Sequence, residues 1–527
     1  MLQTTRTITR RTVARSTRPY SSPSAPRPAA VLPSAGDPTS RPSPPPAPAK
    51  APAGVEEAGE AMKPQPFILR PLSRRYQLQT LSSPSPSSGT TTLHFLSPSS
   101  STPRTLTLPN LFIRDASIHP AHVHPSSKQK LFRTTDVPLD GNLNGYGVHD
   151  VPGHGECLVT EWSTPLRNGS VPIEARKLAV VPVDFLSGIM TDSKDAREGR
   201  GVLPPAQPWD RKTLETSLHR QDYAGFQADD RALKSTLEAL VRDGIVLLSG
   251  VPTDAKEGHQ TELRKVVERI GSIRKTWYGD LWDVRAVEGS KNIAYTNLDL
   301  GLHMDLTHFD SPPRYQFLHS LQNSHVVGGL SYFVDAFALA AHLAQHSPSA
   351  FHTLCTEPVL FEYRNGGQHT RFSRPTFELE HGSAQSLHAV NYSPPFQGPL
   401  PLSQVSRSSD PSSDVESADT ERLAGLHDAL SQFAALCDGS SPPGSGPEAA
   451  AKETWRWEHQ LEPGECVIFD NRRVLHARTG FEFTGEGAAA GRWLKGAYMD
   501  GDEVRSRLRV LKAQEREGAK KGRTLFV

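Results

Sequence analysis

The chain has 527 residues, with 58 Lys+Arg against 57 Asp+Glu and a formal charge of +1, so no global field recruits nucleic acid or an anionic membrane. Its four cysteines, Cys157, Cys355, Cys437 and Cys466, are scattered without CxxC spacing, which argues against a disulfide framework or a thiolate zinc knuckle and for a reducing compartment. The length allows two or three domains, and apolar runs such as Leu178–Val181 fall far short of the roughly 20 residues that span a bilayer.

Residues 1–22 hold Arg6, Arg10, Arg11, Arg15 and Arg18 among Ser and Thr, and the first acidic residue is Asp37. That is transit-peptide composition, and the lack of an apolar core makes the address mitochondrial, in the matrix, rather than secretory. The Pro/Ala/Ser run over 23–63 cannot bury enough apolar surface to offset its ordering entropy and reads as a disordered linker. Over 67–191, short apolar runs alternate with turns: residues 93–96, Leu106–Leu108, Leu111–Ile113 and Cys157–Trp162. The pattern predicts a small β domain. Its histidines, His119, His122, His124 and His154, have no cysteine among them and read as surface residues rather than a zinc site. Residues 192–210 read as a polar connector.

From about Trp209 the pattern changes. Leu233, Leu237, Leu240 and Val241 recur at helical spacing, Gly244 is placed as a cap, and IVLLSGVP follows as a buried strand. Leu263, Val266, Val267 and Ile270 repeat the helix, with Gly271 as its stop. The stretch NIAYTNLDLGLHMDLTHFDSPPRYQ (292–316) then carries His303-Met304-Asp305. If this is a strand, residues two apart share a face, so His303 and Asp305 project together while Leu302, Met304 and Leu306 pack behind them. The triplet alone proves little: about two His-x-acid triplets are expected by chance. Three occur, the others being His154-Gly155-Glu156 in a Gly-rich turn and His308-Phe309-Asp310, placed at a rim by the prolines that follow. YQFLHSLQ and LSYFVDAF read as strands, with Asp335 capping a helix that ends before Pro348. Ser/Pro/Gly-rich insertions at 403–420 and 438–451, expected as mobile loops, flank a helix around Leu423–Leu436. Near the end, Val467–Phe469 is a strand, Asp470-Asn471 a turn, and the next strand delivers His476. Two imidazoles and one carboxylate on one side of Fe(II) leave three cis positions open, which a dioxygenase needs. Ligands so far apart in sequence suit a jelly-roll barrel, where distant strands meet at one mouth. Beyond them, Arg492 offers a guanidinium suited to clasping a distal carboxylate.

From about Asp222 to Leu511 the chain resembles the γ-butyrobetaine dioxygenase branch of the taurine-dioxygenase-like Fe(II)/2-oxoglutarate family. The resemblance rests on NIAYT(x)₆HMD, SPPRYQFLHSLQ, GGLSYFVDAF, IFDNRRVLHARTGFE, GRWLKGAYMDGDEV and SRLRVL. It implies a mainly β fold with flanking helices: a double-stranded β-helix (jelly-roll) catalytic domain over 209–515 preceded by the small β-rich N-terminal domain. It implies His303, Asp305 and His476 as iron ligands and Arg492 as the residue holding the 5-carboxylate of 2-oxoglutarate, with ascorbate as reductant. Tyr278, Trp282, Tyr295 and Tyr498 resemble an aromatic box for a trimethylammonium group, and Asn292 a substrate-contacting asparagine. A quaternary ammonium has no N–H to donate, so ring quadrupoles are its natural partners, at about 2 kcal/mol or more once water is excluded.

The chain departs from the family pattern in three places. Ser117, His119, His122 and His154 stand where the family has three Cys and a His for zinc, leaving an altered, His-rich site. Ser393-Pro394 stands where the family has an Asn pair at the substrate carboxylate, which leaves that contact open. TGEGAAAG lengthens the loop before Arg492. The expected activity is hydroxylation of γ-butyrobetaine to L-carnitine, with O₂ and decarboxylation of 2-oxoglutarate to succinate. The alternatives are a trimethyllysine dioxygenase and a non-catalytic mitochondrial homologue. Oligomeric state is open, a homodimer included.

Overall fold

Strand alternation sorts the catalytic half of the chain into layers. In the Tyr315–Ser324 strand, Tyr315 and Phe317 join one apolar cluster and Leu318 another, so successive side chains serve opposite faces of the sheet. Neighbouring strands divide the same way: Cys466 and Ile468 face outward and Val467 and Phe469 inward, while Val246 and Leu248 oppose Ile245 and Leu247.

The result is two sheets face to face. The larger, six-stranded sheet has the order Arg220–Asp222, Ile245–Ser249, Cys466–Asp470, Tyr315–Ser324, Gly491–Met499, Leu281–Arg285, and the smaller has the order Leu300–His303, Val474–Arg478, Ser331–Asp335, Trp457–His459. All pairings are antiparallel except the edge strand Arg220–Asp222, which runs parallel to Ile245–Ser249. Between the sheets lie Leu318, Phe333, Trp457, Val467, Phe469, Val474 and Leu494. This is the jelly-roll architecture, and closing it brings strands from distant parts of the chain to one mouth.

Helices cover both outer faces. Asp230–Asp243 and Glu262–Ile270 present Leu233, Leu237, Leu240, Leu263, Val266 and Val267 to the larger sheet, as their spacing predicts. The first ends at Gly244, whose φ of 77° is the left-handed cap. Ala336–His346 and Val415–Cys437 cover the smaller sheet, packing on Leu302, Tyr332, Val334, Leu475 and Ala477. Asp335 caps the first of these, accepting from Phe337 N–H at 3.0 Å, while its carboxylate also pairs with the buried Arg473 guanidinium at 2.7 Å.

The structure is a computed structural model. It describes residues 77–82, 89–96, 104–151, 154–189, 203–254, 261–285, 300–324, 326–381, 383, 386–402, 415–439, 455–483 and 491–524. The expected transit peptide (1–22), the linker (23–63), Asn292, Tyr295, TGEGAAA and residues 403–414 and 440–451 of the insertions lie outside that set. The helix expected around Leu423–Leu436 begins earlier, at Val415, inside the stretch expected to be a loop.

Before the barrel come two three-stranded antiparallel sheets, Gln77–Ser82, Thr90–Leu96, Arg104–Pro109 and Leu143–Val151, Gly155–Trp162, Leu178–Pro182. Leu93, Leu108, Leu158, Trp162, Ala179 and Val181 pack together between them. One expected strand is a helix: Leu111–Ile113 lies in Asn110–Asp115, with Ile113 fully buried and Phe112 stacked 6.0 Å from Phe185. A three-residue apolar run carries no period that could distinguish the two. Among the described residues no helix is long and apolar enough to cross a membrane.

Candidate active site

Register assembles the first two candidate ligands. Val474–Arg478 lies between Leu300–His303 and Ser331–Asp335, and the pairing sets His476 opposite His303. Opposed residues of an antiparallel pair share a face, so the imidazoles project together, with ring centroids 4.2 Å apart.

Asp305 arrives by a different route from the expected one. The strand ends at His303, so Asp305 is not its i+2 partner on a continuous strand but part of the turn that follows. Leu306 adopts a left-handed φ of 58°, costing about 1–3 kcal/mol in a non-glycine residue. Asn471, fully buried, holds the turn: its Oδ1 accepts from Asp305 N–H at 2.8 Å, and its Nδ2 donates to the carbonyls of Asp305 at 2.9 Å and Pro313 at 3.3 Å. The packing behind is as expected, with Leu302, Met304 and Leu306 all buried.

Asp305 Oδ1 lies 3.4 Å from His303 Nε2 and Oδ2 lies 3.9 Å from His476 Nε2. One potential ligand atom from each of the three residues lies within 4.8 Å of the others, the one such group among the described residues. The donor chemistry fits iron. His303 Nδ1 donates to the Gly301 carbonyl at 2.8 Å, which in the neutral ring leaves the Nε2 lone pair facing Asp305. Burial, reinforced by His303, lowers His476 to about 3, so its imidazole is neutral. Burial alone would push the Asp305 carboxyl up, but the neighbouring His303 and His476 imidazoles and the Tyr498 hydroxyl hold it well below the usual carboxylate range. An ionised carboxylate with converging imidazole nitrogens matches the facial set of non-heme ferrous sites.

The next face of the site is built by period two. Along Gly491–Met499, Arg492, Leu494, Gly496 and Tyr498 alternate away from Ala497 and Met499, which face the helices. Arg492 is 6% exposed; burial and then the nearby Arg478 lower its guanidinium to about 9, leaving it charged at neutral pH. Both guanidiniums lie over the Phe481 ring, at 4.8 Å for Arg478 and 5.9 Å for Arg492. Among the described residues Arg492 forms no ion pair, so a bound carboxylate has a buried cation to meet.

Of the expected aromatic box, the structure brings Trp282 and Tyr498 together, stacked at 5.1 Å. The indole lies on Gly496, where an added Cβ would sit 2.4 Å from its ring, so glycine is required there. Tyr498 also donates its hydroxyl to Asp305 Oδ2 at 2.8 Å, tying the box to the metal group. The Tyr278 ring packs 5.8 Å from Trp277; burial raises its hydroxyl pKa, with Tyr363 and Asp305 opposing ionisation further.

Other residues here escaped sequence reasoning. Gln316 pairs directly with Phe469 and with Tyr498, so it faces the metal group; it is 1% exposed and its Oε1 has no hydrogen-bond partner. An amide between the aromatic residues Tyr315 and Phe317 of that strand was the available signal. His308, expected at a rim, is buried and stacks 5.7 Å from Trp277 and 5.3 Å from Tyr363. The strand has already ended at His303, well before the two prolines, and the β-hairpin Pro358–Asn365/Gln368–Pro375, which carries Tyr363, covers that edge.

The N-terminal histidines form a different cluster. His122 is fully buried, which corrects the surface reading. Its Nε2–H donates to the Ala175 carbonyl at 3.0 Å, so Nδ1 must accept, from the Ser117 hydroxyl at 2.9 Å. Ser117 Oγ in turn accepts from Val180 N–H at 3.0 Å. Both nitrogens of His122 are thus spent on the protein, and His154 is exposed.

A barrel of this topology with a His/Asp/His group at its mouth defines a class, the non-heme iron oxygenases. The family model for the taurine catabolism dioxygenase TauD, TfdA family matches residues 205–438 and 447–498, and the chain belongs to that family. It is 35% identical over 407 residues to Dioxygenase str8 of Strobilurus tenacellus, covering 76% of this chain and 84% of that one. It is 29% identical over 406 residues to gamma-butyrobetaine dioxygenase of Pseudomonas sp. (strain AK-1), covering 76% and 90%. To gamma-butyrobetaine dioxygenase of Homo sapiens it is 30% identical over 316 residues, covering 60% and 72%.

Proposed function

We propose that the protein is a mitochondrial Fe(II)- and 2-oxoglutarate-dependent hydroxylase of a trimethylammonium amino-acid derivative, with γ-butyrobetaine as first-choice substrate and L-carnitine as product. The observation that carries the substrate class is the Trp282–Tyr498 stack bonded through the Tyr498 hydroxyl to Asp305, which sets a π-surface for a cation beside the metal group. Two relatives named gamma-butyrobetaine dioxygenase support the choice. The resemblance assigns Tyr278, Tyr295 and Asn292 to the same substrate.

His303, Asp305 and His476 would hold the iron, which when bound supplies the oxidising chemistry. The protein positions. Asn471 fixes the Asp305 backbone, Arg492 holds the 5-carboxylate of 2-oxoglutarate, and the Tyr498 hydroxyl orients the Asp305 carboxylate. Ascorbate would act by keeping iron ferrous. The Arg-rich segment 1–22 would direct the chain to the matrix, and the strands over 77–182 would form the small N-terminal domain.

Relatives named trimethyllysine dioxygenase, such as that of Meyerozyma guilliermondii at 28% identity, support a second substrate reading. Purified protein assayed with Fe(II), 2-oxoglutarate and each substrate, following hydroxylated product and succinate together, separates the readings. Product from γ-butyrobetaine is expected. Product from trimethyllysine alone selects the second reading, and no succinate with either amine selects a non-catalytic homologue.

A further inference from the structure

The helix Ala336–His346, which covers the smaller sheet, ends in His342-Leu343-Ala344-Gln345-His346. Leu343 is buried in the cluster against that sheet, whereas His342 is half-buried and His346 exposed. Residues four apart on a helix are neighbours, and here the two imidazoles stack with centroids 4.1 Å apart and planes 25° apart. Two histidines at that spacing on one helix face are a known unit for chelating zinc.

His122 spends both its nitrogens on the protein, but this pair does not. His346 Nδ1–H donates to the His342 carbonyl at 2.8 Å, so in the neutral ring the Nε2 lone pair is left for a ligand. The backbone thereby fixes ring and tautomer, as the Gly301 carbonyl does for His303. Burial, and after it the adjacent His346, lowers His342 below its ordinary value, which favours a neutral ring at neutral pH. A tetrahedral ion at about 2.0–2.1 Å from each of two nitrogens holds them about 3.4 Å apart, which rings with centroids 4.1 Å apart reach by small rotations. His346 is also the last residue of the helix, where the dipole is negative and favours a cation.

We propose that His342 and His346 form a second metal site, taking a divalent ion that favours imidazole, Zn(II), Ni(II) or Cu(II), which clamps the last turn of this helix. Water fills the remaining positions. The hard cations Ca²⁺ and Mg²⁺ need oxygen ligands, which the pair does not supply. Two protein ligands make the site weaker than the three-ligand group of His303, Asp305 and His476, and Cu(II) should bind tightest of the three ions. The Trp455 ring meets His342 edge-on at 5.8 Å, close enough for a bound paramagnetic Cu(II) to quench its fluorescence.

The test titrates Ni(II) calorimetrically into the full chain as wild type, His342→Ala, His346→Ala and His476→Ala. Wild type is expected to take up two equivalents and His476→Ala to keep the weaker one. His342→Ala and His346→Ala should keep the tighter one and lose at least about tenfold in the affinity of the weaker, because a lone imidazole lacks the second grip. In the His476→Ala protein, Cu(II) should quench part of the indole emission, and adding either Trp455→Phe or His346→Ala should abolish that part. A single equivalent on wild type, an unchanged second equivalent in His342→Ala and His346→Ala, or copper quenching indifferent to His346 would each overturn the site and leave two stacked surface rings.

Discussion

Two histidine clusters in this chain look alike at the level of rings and behave oppositely at the level of nitrogen atoms. His119 and His122 have ring centroids 5.0 Å apart, and His303 and His476 have theirs 4.2 Å apart. In the first, Ser117 and the Ala175 carbonyl take both nitrogens of His122, and the imidazole is a cross-brace in the core. In the second, Nδ1 of His303 is taken by a backbone carbonyl, and the Nε2 atoms of both rings approach one carboxylate. Proximity of histidines does not make a metal site; what each ring's second nitrogen is bonded to does.

The contrast breaks most sharply at the metal group. His476→Ala should remove iron from the protein and lower product and succinate formation by at least about a thousandfold, since no oxidising chemistry remains without the ion. Metal analysis beside the coupled assay checks it, and retained iron with retained turnover would mean the ligands are misassigned.

Arg492→Gln should raise the KM for 2-oxoglutarate about a hundredfold, the equivalent of about 2–3 kcal/mol for a charge-assisted, two-bond contact. An unmoved KM would place the distal carboxylate elsewhere. Trp282→Leu should raise the KM for the cationic substrate about thirtyfold, from a cation–π contact of about 2 kcal/mol, while the KM for 2-oxoglutarate stays put. If both Michaelis constants rise together, the indole is a structural ring and the box is elsewhere.

The N-terminal cluster should answer to stability and not to metal. His122→Ala is expected to cost about 2 kcal/mol by leaving Ser117 and Ala175 unpaired, read as a lower midpoint in urea, with chelators producing no comparable loss. Burial, and after it His119, lowers His122 to about 4 against an ordinary 6.5. Between those values the unfolded chain binds the proton and the folded one does not. The contribution is therefore complete above about pH 6.5 and lost as pH falls towards 4. Replacing His122 should flatten that part of the acid profile; an unchanged profile would assign the loss to His308, His319 or His388, which burial lowers similarly.

Much of the fold could be read from residues alone wherever a period was long enough to measure. The helix with Leu233, Leu237 and Leu240, its Gly244 cap, the Asp335 cap and the strand carrying His476 all stand where spacing put them. Short or interrupted patterns misled. Leu111–Ile113 is helical, and His308-Phe309-Asp310 ends against a hairpin from farther along the chain rather than at a rim.

The sequence by itself determined which side chains could serve: two histidines, an aspartate and an arginine, with helical spacing marking which faces of the covering helices are apolar. That information is local, because covalent geometry dictates which residues share a face. Only the tertiary structure decided which faces meet. It set His476 opposite His303, bent the chain after His303 so that Asp305 swings back under the grip of Asn471, and turned Gln316, His308 and Ser393 inward. Those choices depend on register between distant strands and on which buried polar atoms find partners, and neither quantity is written in any single stretch of residues.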